Sequence, residues 1–135
     1  MLLFQWTPDL SVNIKEIDHQ HKKLIDLINL LHESMRMGKG KDVIGNVLKD
    51  LTDYTVYHFG TEERLFAKYG YLESARHKKE HDDLTKQVVD LKTNYESGQT
   101  TITVEVMTFL KDWLNNHIRQ SDKKYSAFLN SKGVN

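Results

Sequence analysis

Five histidines and two carboxylates fall at helical spacings on four separate stretches of the chain: His21; His58 with Glu62; His77 with His81; His117 with Asp122. A step of four residues sets two side chains about one turn apart on one face of a helix, so the HxxxE pair and the HxxxH pair can each chelate. Seven ligands exceed what one tetrahedral ion takes, and the set is the signature of a two-metal site inside a helical bundle. Imidazole with carboxylates able to bridge, in a chain with no cysteine, suits iron, manganese or zinc in five- or six-coordinate geometry, with iron the first choice. His117 and Asp122 are five residues apart, about 500° around an ideal helix and so about 140° off a shared face. The helix carrying them is expected to be distorted, or to end, between them.

Coordination arithmetic sharpens the expectation. If Glu62 and Asp122 both bridge two ions and a solvent oxygen forms a third bridge, the five histidines remain as terminal ligands. Three of them saturate one octahedral ion. The other two leave the second ion five-coordinate, with one position free for a small ligand such as dioxygen. An odd number of terminal histidines makes that asymmetry unavoidable.

Four amphipathic helices are needed to hold such a set. The first pattern begins near Asp18, a candidate N-cap, and carries Leu24, Ile25, Ile28, Leu31 and Met35 until Gly38 and Gly40. A second runs through Ile44, Val47, Leu48, Leu51, Thr55, His58 and Glu62 to the Lys68-Tyr69-Gly70 breaker. A third stripe is His77, His81, Leu84, Val88, Leu91 and Tyr95, with Ser74 as cap and Ser97-Gly98 as exit; the fourth starts at Thr101 or Thr103 and shows Val106, Leu110, Trp113 and His117. In each, the candidate ligands continue the apolar stripe, so they are expected to point at the bundle axis. The single proline, Pro8, lies in an N-terminal arm expected to pack through Phe4, Trp6, Val12 and Ile14. Short loops between consecutive helices predict an all-α, up-down-up-down antiparallel four-helix bundle. The whole reads as one domain over 1–135: arm 1–17, bundle 18–120, and a C-terminal tail 121–135 with a short helix through Tyr125, Phe128 and Leu129 and a fraying end at Ser131 to Asn135.

Nineteen basic and nineteen acidic side chains cancel, which removes a global electrostatic reason to expect nucleic acid or an anionic membrane as partner. The opening Met1-Leu2-Leu3-Phe4 lacks a basic flank and a long apolar run, so neither a signal peptide nor a membrane span is expected. Together with the absence of cysteine, this points to a cytoplasmic protein, expected to be monomeric.

On these residues the chain resembles the bacterial hemerythrins. Trp6 and the run Ser11 to His21 are similar to the family's N-terminal arm and first ligand. His58-Phe59-Gly60-Thr61-Glu62-Glu63 is similar to its HxxxE segment, His77 to His81 to its HxxxH segment, and Trp113 through Asp122 to its HxxxxD segment. The match runs through nearly the whole chain in the family's order. The resemblance implies a non-haem di-iron centre that binds dioxygen reversibly for storage, buffering or delivery. It implies His77, His81 and His117 on the saturated iron, His21 and His58 on the open one, and Glu62 and Asp122 bridging.

Helical neighbours of the ligands suggest an apolar oxygen pocket formed by Leu24, Phe59, Trp113 and Leu114. Such a pocket supplies no extra proton, which favours release of dioxygen over its activation. Other polar residues read as ordinary: His19 and Glu63 as surface groups, His32 as a hydrogen-bonded histidine toward the far end, and Lys39, Lys41, Lys78 and Lys79 as solvated surface. Tyr125 either closes the metal end or simply packs in the core. Two further function classes compete. An oxygen or redox sensor would require a partner protein. A di-iron oxidase, peroxidase or iron-handling protein of the ferritin-like kind would be richer in carboxylates and carry Glu-x-x-His pairs. The reading is therefore a binding protein and not an enzyme.

Overall fold

The computed structural model describes residues 2–99 and 101–135. After a 3₁₀ turn at Pro8–Leu10 come α1 (Lys15–Arg36), α2 (Lys41–Tyr69), α3 (Ser74–Glu96) and α4 (Val104–His117); a π-helical turn (Ile118–Asp122) then joins α4 to α5 (Lys123–Ser131). The four long helices form a bundle. Its direction is legible in one internal layer. Leu24, Thr55, Leu84 and Leu114 each sit three residues from a histidine of the candidate set, forward of it on α1 and α3 and behind it on α2 and α4. All four line one cavity, so neighbouring helices run antiparallel. A second layer follows four residues further on: Ile28, Leu51, Val88 and Leu110. This 3-and-4 stepping is what keeps one face of each helix on the core.

Helix ends follow local chemistry. Gly70 takes the left-handed conformation (φ 73°) and its N–H donates to the Phe66 carbonyl, closing α2 as the breaker predicted. Thr103 caps α4, its hydroxyl accepting from the Val106 N–H at 3.2 Å. The start of α1 is corrected: it begins at Lys15, and Asp18 is not its cap. The Asp18 carboxylate reaches backwards instead, accepting from Val12 N–H (2.8 Å) and Ser11 Oγ (2.5 Å). Freed of capping duty, it ties the arm to the bundle. The arm is held further by paired hydrogen bonds between the Phe4 backbone and the Asn29 amide (3.0 and 2.7 Å), and Lys22 lies over the Trp6 ring at 4.2 Å.

The C-terminal tail also departs from expectation. It does not fray at Ser131: α5 continues the line of α4, Asn130 donates to the carbonyls of Asn13 (3.1 Å) and Val134 (2.7 Å), and Val134 packs on the core. No described helix is long and apolar enough to cross a membrane.

Candidate metal centre

His21 enters from α1, His58 and Glu62 from α2, His77 and His81 from α3, His117 from the end of α4, and Asp122 from the π turn. All seven are buried. The π turn resolves the five-residue spacing. Bonding from i to i+5 widens one turn, so that residues five apart return to a common face, and His117 Nε2 comes to lie 3.1 Å from Asp122 Oδ1.

The donor atoms fall into two overlapping groups, each within 4.8 Å throughout: Glu62, His77, His81, His117 and Asp122 in one, and His21, His58, Glu62 and Asp122 in the other. The two carboxylates belong to both. The five Nε2 atoms face carboxylate oxygens at 2.9–3.7 Å. Yet none of these nitrogens, nor Glu62 Oε1 and both oxygens of Asp122, makes a hydrogen bond. Eight buried polar atoms left unsatisfied at about 1–3 kcal/mol each would cancel the roughly 5–15 kcal/mol that stabilises a domain. A cation shared among them removes that cost.

Burial opposes charge at His58, His77, His117, Glu62 and Asp122, and the outcome differs by neighbour. At His58 burial prevails and pushes the imidazole down to about 4. At His77 burial is outweighed by the facing carboxylates of Asp122 and Glu62, which hold it up at about 9; His117 is also raised, by Asp122 against burial. Glu62 and Asp122 both stay below the usual carboxylate range because surrounding imidazoles overcome burial.

Outside the donors lies a layer that fixes them. His58 Nδ1 meets Gln20 Oε1 at 2.7 Å, and His81 Nδ1 meets Glu63 Oε2 at 2.9 Å. Glu63 is thus not a free surface charge; it fixes His81. Glu80 accepts from the Ser121 hydroxyl at 2.8 Å within the π turn and stands 3.8 Å from His117 Nδ1. Tyr125, wholly buried, donates its hydroxyl to Glu62 Oε2 while its ring packs on Phe66, so both readings of that residue hold. Burial, then Glu62 and Asp122, raise its phenol well above the usual value and keep it a donor.

The Hemerythrin HHE cation binding domain matches this chain over residues 12–129. The chain belongs to the hemerythrin family. A bacteriohemerythrin of Methylococcus capsulatus (strain Bath) is 37% identical over 132 residues, spanning 97% of this chain and 100% of that protein. A bacteriohemerythrin of Pseudomonas paraeruginosa is 38% identical over 120 residues, covering 89% of this chain and 77% of the other; a hemerythrin-like protein of Naegleria gruberi is 38% identical over 126 residues, 93% of each. The crystal structure of a wild-type hemerythrin superposes with a TM-score of 0.88 at 37% identity, over 93% of this chain and 96% of that one.

Of the four expected pocket residues, Leu24, Phe59 and Leu114 line a narrow cavity of about 20 Å³ next to the donor cluster. Phe59 also lies flat on the His81 ring at 3.8 Å. Trp113 does not line the cavity. It lies one position round the helix from Leu114, half-buried, and stacks on the His117 ring at 4.5 Å. His19 is exposed as expected, and His32, half-buried, stands outside the cluster. Gln20 was overlooked, although its position three residues after Ile17 and four before Leu24 marks it as a stripe residue. Nothing in the spacing singles out Glu80 or Ser121.

Proposed function

We propose that this hemerythrin-family chain, as one domain over 1–135, holds two iron ions and binds dioxygen reversibly, as an oxygen-binding protein and not an enzyme. His77, His81 and His117 would serve one ion, His21 and His58 the other, with Glu62 and Asp122 shared. The observation that carries the reading is the set of eight buried, hydrogen-bond-free donor atoms, divided five residues against four around two common carboxylates. Bound there, the iron pair supplies the redox chemistry for taking up dioxygen.

The chain's own part is positional. Gln20 and Glu63 orient two imidazoles through their Nδ1 atoms, and Tyr125 fixes Glu62 from the far side. The unequal histidine share supports a free position on the His21/His58 side. Leu24, Phe59 and Leu114 keep the adjoining space largely apolar and the Thr55 hydroxyl is donated to the Leu51 carbonyl, so no acidic side chain there adds a proton that would drive dioxygen off in reduced form. Cation loading displaces protons from the raised His77 and His117 and is therefore opposed by acid.

The test is iron analysis followed by anaerobic reduction, an optical titration with dioxygen, and evacuation. Two irons per chain and a visible band that appears with dioxygen and vanishes under vacuum support the reading. One iron per chain, or irreversible oxidation, refutes it.

A further inference from the structure

A ligand that reaches an internal site needs a way in, and the cavity beside the donor cluster points to one. Among neighbouring helices, α1 packs closely with α2 and α2 with α3, α1 and α4 approach less closely, and α3 and α4 least of all. Along that looser seam runs a surface groove of about 310 Å³ whose walls include Leu91, Val106, Phe109 and Leu110. Leu110 also lines the inner cavity. The groove and the cavity are therefore two sides of one side chain. Gln87 and Glu105 also line this seam groove, and what sets it apart is the shared leucine: grooves on other faces, such as the one bordered by Lys23, Asp50, Asp53 and Tyr54, share no lining residue with the cavity.

We propose that the α3/α4 seam is the entrance for small apolar gas molecules, with Leu110 as the gate between an outer vestibule and the inner cavity. The inference rests on reading that cavity as the dioxygen side of the metal centre. A cavity of about 20 Å³ is just above the 10–15 Å³ that one water-sized guest requires. Its lining is apolar except for the Thr55 hydroxyl, and that hydroxyl is already donated to the Leu51 carbonyl at 2.7 Å. Water gains nothing by entering such a space, whereas an uncharged diatomic or xenon does. Leu110 itself is buried and belongs to no hydrogen-bonded network, so rotation about its side-chain bonds opens the wall without breaking a polar contact.

The test uses the purified, iron-replete protein and two gases. Xenon exchange, followed by NMR, reports passage independently of the metals; dioxygen association and dissociation are followed optically. Leu110→Ala should quicken xenon exchange and both dioxygen rates about tenfold, as a barrier lowered by about 1.4 kcal/mol does. Leu91→Trp fills the vestibule without touching the cavity and should slow all three rates, which keeps the proposal testable if Leu110→Ala folds poorly. Leu51→Ala enlarges the cavity from the α2 side and controls for volume alone. Xenon exchange indifferent to Leu110 and Leu91, or equally quickened by Leu51→Ala, overturns the entrance. A protein that takes up no dioxygen while xenon still responds to Leu110 and Leu91 overturns the functional reading and leaves the entrance standing.

Discussion

Replacing Tyr125 by Phe removes one oxygen and nothing else. The ring keeps its contacts with Phe66, Tyr71 and His77 at centroid separations of 5.1, 6.4 and 5.5 Å, so packing loss is small and the effect isolates the hydrogen bond to Glu62. That bond joins a wholly buried hydroxyl to a carboxylate held ionised by its histidine neighbours. Hydrogen bonds to charged groups contribute about 1.5–3 kcal/mol, and the orphaned carboxylate oxygen finds no water in its place. For a chain of this length, between the sizes tabulated for small and mid-sized domains, that corresponds to a fall in Tm of roughly 5–15 °C. The assay is thermal unfolding of the iron-loaded protein, with Tyr125→Leu as comparison; the latter should lose more, because it gives up ring packing as well. Since the phenol is held well above its ordinary pKa, the difference between wild type and Tyr125→Phe should be the same from neutral pH to about pH 9, below the ordinary tyrosine value of about 10. A Tyr125→Phe variant within about 0.5 kcal/mol of wild type, the scatter of ordinary surface substitutions, refutes the bond as a support of Glu62.

Three further expectations follow from single contacts. Gln20→Leu leaves His58 Nδ1 without its acceptor and, on the proposed two-ion reading, should weaken retention of the ion that His58 would hold about 10–100-fold; chelator titrations in which metal leaves as in wild type would contradict this. Leu114→Asp places an acid in the apolar cavity and, on the proposed dioxygen-binding reading, should hasten decay of the oxygenated protein to the oxidised form, a claim lost if decay at matched pH is unchanged. Asp9 is held down to about 2 by the Thr7 hydroxyl and by Arg119, which bonds it at 2.6 Å. A depressed carboxylate adds stability that is complete above its unfolded value and is lost as pH falls through the folded one, so Arg119→Ala should move the Asp9 midpoint part of the way back toward 3.8 in an NMR titration; an unmoved midpoint discounts the pair.

The bundle and the donor set were legible because both rest on helical period. His58, Glu62, His77 and His81 are each one turn from a partner, and Leu24, Leu84 and Leu114 continue the stripes that bring them inside. Even the fault in the fourth helix could be read in advance, since a five-residue step is incompatible with a regular α-helix that presents both side chains on one face. What escaped was whatever depends on reach instead of period. Asp18 has the type and place of a cap, but its carboxylate turns back to Val12 and Ser11. Glu63 points about 100° from Glu62, and only the approach of α3 brings His81 within its range. Trp113 and Leu114 are neighbours of similar character, and the angular difference of one residue separates a ring stacked outside His117 from a side chain lining the cavity.

The widened turn at Ile118–Asp122 has an effect beyond bringing in one carboxylate. It advances the phase of everything after it, so the faces of α5 are set by a single additional residue. Tyr125 reaches Glu62, and Ser126 reaches the Val12 carbonyl of the arm, only in that phase. Excising one residue such as Gln120 would restore an unbroken helix and turn α5 by about 100°. The more regular backbone would then unfasten the metal seat and the N-terminal clasp in one stroke.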